Sequence, residues 1–78
     1  MHIRHATGFD PAALKQLYSA FDMAWNEVEA LTSKPNRDGA RDAVGKAIIE
    51  LAKTGYRHPE HLANYGVYQG RLFIDLRG

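Results

Sequence analysis

Cysteine is missing from this chain of 78 residues. That excludes disulfides and thiolate zinc sites, and it makes a reducing, cytoplasmic setting the simplest expectation. Long hydrophobic runs are missing too. No segment approaches the ~20 apolar residues needed to span a bilayer, and the opening "MHIRHATGFDP" has no apolar stretch of signal-peptide length. Charge of one sign is scarce. The net charge is +1, so there is no strong overall field to gather nucleic acid or anionic lipid. Residues 1–35 carry −1 and residues 36–78 carry +2, a mild asymmetry. Serine occurs only as Ser19 and Ser33, and neither lies in the strained turn that exposes a nucleophile. Gly66 and Gly70 lack the lysine and the strand context of a phosphate-binding loop. The expectation from these absences is a protein that is not an enzyme and carries no cofactor.

What is present fits one small globular domain, residues 1–78, with 45% hydrophobic and 24% charged residues. A domain of this length buries only ~60–65% of the surface of its unfolded chain, so it has little stability to spare. No internal repeat, low-complexity run or long linker divides it.

Helical periodicity dominates. Asp10 is a good N-cap residue, and Pro11 suits the first helical position, which needs no backbone N–H. Leu14, Leu17, Tyr18, Phe21, Trp25, Val28 and Leu31 then recur in steps of three and four. This predicts a helix over about 11–32, with Phe9 stapled onto its first turn. Pro35 ends that helix. Asn36 or Asp38 can cap a second helix over about 37–54, whose stripe is Ala40, Ala43, Val44, Ala47, Ile48 and Leu51. Its alanines and Gly45 are small enough to admit the bulky Phe21 and Trp25 of the first helix. Gly55 is placed to end it in left-handed geometry.

"HPEHL", residues 58–62, opens a third helix. Pro59 takes the first position, Glu60 lies in the first turn where the helix dipole favours an acid, and His58 occupies the cap. The closing "YGVYQGRLFIDLRG" is ambiguous. Leu62, Tyr65, Gly66, Leu72, Phe73 and Leu76 fit a helical period, but Gly66 and Gly70 each cost about 1 kcal/mol in a helix interior. Leu72, Ile74 and Leu76 also alternate with Phe73, Asp75 and Arg77 as in a half-buried strand, and "VYQGRLF" reads as a tight hairpin. We favour a helix over about 59–69 and a short irregular or extended tail that pairs with the N-terminal "HIRH". The fold class expected is therefore all-α, a three-helix bundle with a core of Leu14, Leu17, Phe21, Trp25, Val28, Val44, Ile48, Leu51 and Leu62.

The candidate sites are few. His2 and His5, and again His58 and His61, stand three apart. A closed zinc site needs four ligands, which would require both pairs to converge. The expectation is no metal site, with His58 serving as a helix cap. Asp22 with Glu29, and Asp38 with Asp42, read as solvated helix surface. The more informative signal is surplus apolar surface. Three short helices cannot hide Tyr56, Tyr65, Tyr68, Phe73 and Ile74 as well as the core, and tyrosine is common at protein interfaces. Tyr65, Tyr68, Phe73 and Ile74 are the expected contact surface of a protein-interaction or regulatory module, a homodimer or the binder of another protein; the alternative is that the tail folds back and completes the monomer core.

Two resemblances bear on this. Gly55-Tyr56, Leu62-Ala63, Gly66-Val67 and Gly70-Arg71-Leu72-Phe73, within residues 48–73, resemble the DNA-reading segment of tetracycline-repressor-type regulators. The spacings here are shorter than that family uses, and Tyr68 stands where it has Ser or Thr. This resemblance implies an alternative function, a small helix-turn-helix DNA-binding regulator with Arg57 and Arg71 on phosphate. The patterns "FDMAWNEV", "ARDAVGKAIIELAKTG" and "HPEHL" are similar to a group of small alphaproteobacterial helical proteins without an established function, over about residues 17–66. That group has Asp where this chain has His58, in keeping with a cap.

Overall fold

The computed structural model describes residues 9–77. Three helices fill it: α1 (Pro11–Ala30), α2 (Arg37–Lys53) and α3 (Pro59–Arg77). No strand occurs among the described residues, and no helix is long and apolar enough to cross a membrane. The three-helix architecture is the one the periodicity predicts.

Local chemistry sets the ends of the first two helices. The Asp10 carboxylate accepts from the backbone N–H of Ala13 at 2.7 Å, with Pro11 in the first turn. At the other end the Thr32 hydroxyl donates to the Val28 carbonyl at 2.6 Å. The same carbonyl accepts from the Leu31 N–H at 3.0 Å, the Thr32 N–H donates to Glu29 at 3.1 Å, and α1 stops at Ala30, two residues short of expectation. A single 3-10 turn, Lys34–Asn36, leads directly into α2. Asn36 does hold the cap position of α2, but its side chain makes no capping bond and turns back to Ser33 Oγ at 3.3 Å. The turn before it is closed by backbone bonds, the N–H groups of Asn36 and Arg37 donating to the carbonyls of Ser33 and Lys34. Gly55 follows α2 with φ +110°, the left-handed geometry expected of it.

The core is built from small residues. Leu17, Ala20, Ala24 and Val28 of α1, Ala40, Val44, Ile48 and Ala52 of α2, and Leu62 and Ala63 of α3 form one buried cluster. Five of the nine expected core residues, Leu17, Val28, Val44, Ile48 and Leu62, are its largest fully buried side chains. The other four, Leu14, Phe21, Trp25 and Leu51, are partly buried and pack against it. Phe21 and Trp25 stack with ring centroids 6.5 Å apart, and a Cβ placed on Gly45 would stand 3.7 Å from the Phe21 ring. The small residue expected opposite Phe21 is therefore where it is needed.

The third helix is longer than the sequence suggests. It continues through Gly70 to Arg77 instead of ending near Gln69. The two glycines counted against it are the reason it packs. A Cβ on Gly66 would stand 3.1 Å from Ile48 and 3.3 Å from the Ala24 methyl. A Cβ on Gly70 would stand 2.8 Å from Val44 and 3.0 Å from Val28. Both backbones are buried, so α3 lies against α1 and α2 more closely than a side chain would allow. Gly39 of α2 likewise receives the Phe73 ring, whose Cε2 would lie 2.9 Å from a Cβ there. Burial along this face offsets the ~1 kcal/mol each helical glycine costs. Ile74 packs on the same core. The N-terminal "HIRH" that the tail was expected to pair with lies outside the described residues.

These pairings fix the directions of the helices. As α2 runs back from Ile48 to Val44 to Gly39, α3 runs forward from Gly66 to Gly70 to Phe73. Ala24 and Val28 of α1 meet Gly66 and Gly70 in ascending order. α3 is therefore antiparallel to α2 and parallel to α1.

Candidate functional site

α3 has two unlike faces. Leu62, Ala63, Gly66 and Gly70 point into the bundle. On the opposite side Tyr68, Leu72 and Leu76, at i, i+4 and i+8, are 58%, 38% and 86% exposed. At 100° per residue they form one stripe on the outer surface. Arg71 and Asp75 flank the stripe and are exposed. Neither makes an ion pair with the other or with any neighbour among the described residues. Asn64, Val67, Tyr68, Arg71, Leu72 and Asp75 line an open, shallow groove along this face.

The four residues expected to make contacts separate accordingly. Tyr68 lies in the outer stripe. Tyr65 is half-buried at its edge. Phe73 and Ile74 are half-buried and pack inward, Phe73 over Gly39. Leu72 and Leu76 take the places on the open surface that the extended-tail reading gave to Phe73 and Ile74. The helical period groups Leu72 and Leu76 with the buried Leu62 and Gly66, so spacing alone does not reveal their exposure.

The two arginines expected at phosphate also part company. Arg57 is partly buried in the loop between α2 and α3. Its guanidinium donates to the Ala52 carbonyl near the end of α2 and to the Tyr56 carbonyl at 3.0 Å. It also lies 5.0 Å over the centre of the Phe9 ring. A cation on the last carbonyls of a helix is favoured by the macrodipole, and the ring adds a cation–π contact. Arg57 thus ties the start of the described chain to the α2–α3 loop. Arg71, by contrast, is open to solvent. The helices themselves run side by side from Ile48 and Gly66 to Gly39 and Phe73. At a rise of ~1.5 Å per residue that is ~10 Å of continuous contact. A helix-turn-helix instead crosses its two helices at ~90–120°.

His58 and His61 have ring centroids 5.0 Å apart, and Tyr56 meets His61 edge-on at 6.4 Å. Both histidines are exposed. The His58 carbonyl accepts from the Leu62 N–H at 3.1 Å, as the residue capping α3 should. His2 and His5 lie outside the described residues. Among the described residues, no group of three or more metal-ligating side chains comes together. A second shallow groove, lined by Pro11, Ala12, Leu14, Lys15 and Tyr18, opens on the first turns of α1.

No protein family, curated protein or solved structure matches this chain in sequence or fold.

Proposed function

We propose that this chain is a non-enzymatic helical interaction module that forms a homodimer through the outer face of α3. One observation carries the reading: the exposed stripe Tyr68, Leu72 and Leu76 on a helix whose other face is closed by glycine packing. Large apolar side chains at helical spacing are what one amphipathic helix offers another. Tyrosine and leucine supply contact area there, and Arg71 and Asp75 supply a polar rim. Exposed apolar residues scattered singly need no explanation, but a continuous stripe marks a surface that gains by being covered. The cysteine-free composition suits a cytoplasmic setting.

The DNA-reading alternative has less support. It needs Arg57 on phosphate, and that guanidinium already holds the end of α2. It also needs two helices that cross, and α2 and α3 lie alongside one another.

Sedimentation equilibrium over a wide range of protein concentration tests the reading, with the wild type beside Leu72→Glu. The expected result is a mass that rises reversibly toward two chains in the wild type and stays at one chain in the variant. A wild-type mass of one chain at every concentration sinks the proposal. In that event, titration of duplex DNA at low and physiological salt decides whether the DNA-reading alternative takes its place.

A further inference from the structure

Two imidazoles share the start of α3. His58 holds the cap position, His61 follows three residues on, and their ring centroids are 5.0 Å apart. The backbone sets that spacing. The His58 carbonyl accepts from the Leu62 N–H at 3.1 Å, and His61 lies inside the helix. Between them Pro59 has a fixed φ and narrows the conformations open to the residue before it. The cap residue and the third helical residue have adjacent side chains, the relation a capping box uses. Neither imidazole makes a hydrogen bond among the described residues. Their ring contacts are with each other and, for His61, with Tyr56. Both side chains are exposed, so each ring is free to turn a nitrogen toward a shared point.

We infer that His58 and His61 together hold one divalent transition-metal ion of the zinc class, reversibly and at the surface. A Zn–N bond of ~2.0–2.1 Å puts the centre of an imidazole about 3.2 Å from the ion, so two imidazoles at a tetrahedral angle stand about 5 Å apart. The rings of His58 and His61 already have that separation. Imidazole nitrogen suits zinc, whereas magnesium takes oxygen ligands and gains little from it. No third metal-ligating side chain joins the pair among the described residues. Water therefore completes the coordination, and the site is weaker than the closed four-ligand site that both histidine pairs would have to build. The positive end of the helix dipole opposes a cation here, and Glu60 in the first turn supplies charge of the other sign. Chelation favours the ion. The fold has already brought the two ligands together, so the second bond costs little further ordering.

Isothermal titration calorimetry with zinc alone, in a buffer that does not bind it, is the test. His58→Asn removes one ligand and keeps a good helix cap. His61→Gln removes the other at an exposed position. His2→Ala/His5→Ala is the control for the second histidine pair. The wild type and that control should each bind one zinc ion per chain, and magnesium should give no binding heat. His58→Asn and His61→Gln should each bind zinc about tenfold more weakly or worse, since either loss breaks the chelate. During the titration the imidazole NMR resonances of His58 and His61 should shift together. Circular dichroism confirms that each variant keeps its helices. Zinc binding that survives either single substitution, or that disappears in His2→Ala/His5→Ala, overturns the inference. So does a wild type that takes up no zinc at about millimolar ion.

Discussion

The inner and outer faces of α3 are made of opposite materials. Inward it presents Leu62, Ala63, Gly66 and Gly70, all buried. Outward it presents Tyr68, Leu72 and Leu76, all exposed. The inner face is closed partly by large side chains, Leu62, Phe73 and Ile74, and partly by the Gly66 and Gly70 backbones brought close to α1 and α2, while Tyr68, Leu72 and Leu76 leave further bulk outside. In a chain of this length the inner face supplies the fold and leaves the outer face free to act. The two should therefore respond to substitution in different observables: stability for the inner face, association for the outer.

The largest effect is expected at Gly70. Alanine there would gain about 1 kcal/mol of helix propensity. It would also force a methyl to within 2.8 Å of Val44, with Val28 closing the other side. Overpacking of that kind outweighs the gain, and Gly70→Ala should lose about 2 kcal/mol by urea denaturation. A variant as stable as the wild type would mean that the seam is looser than described. Gly66→Ala should lose less, about 1 kcal/mol, because the nearest atoms at 3.1 Å belong to the Ile48 side chain, whose end can shift. Gly45→Ala reverses the sign. Its new methyl would lie at an ordinary 3.7 Å from Phe21, so the variant should gain about 0.5–1 kcal/mol, seen as a higher melting temperature. The smallest effect on stability is expected on the outer face. Leu72→Glu should change unfolding free energy by no more than about 0.5 kcal/mol. If it unfolded the protein, the outer stripe would belong to the core and the contrast between the faces would fail.

Much of the fold is legible in the residues because it rests on local chemistry. Asp10 and Pro11 announce the start of α1, and Gly55 announces the end of α2, through groups that act within a few residues. The stripe through Leu17, Val28, Val44 and Ile48 follows from helical spacing alone. The stripe reads too widely at its edges, though. Tyr18 and Leu31 fit the period and are still 42% and 53% exposed, since two neighbouring helices cover a narrower arc of α1 than its apolar residues occupy. The length of α3 is not local information. Intrinsic propensity counts Gly66 and Gly70 as costs, and only Val28, Val44, Ala24 and Ile48, far away in sequence, turn those positions into close contacts. The candidate surface inherits that error. With the end of α3 read as extended, Phe73 and Ile74 appear on the open surface. With it helical, Phe73 turns onto Gly39, and Leu72 and Leu76 join Tyr68 outside. Arg57 could not be assigned from sequence either, because its carbonyl acceptors and the Phe9 ring meet only once α1 and α2 have packed.

The claim that the outer face of α3 exists to meet a second copy is tested most directly by wild-type sedimentation equilibrium, from micromolar to about millimolar protein. The account predicts a reversible monomer–dimer equilibrium, abolished by Leu72→Glu in a protein whose stability is unchanged. A wild type that keeps the mass of one chain over that whole range would contradict it.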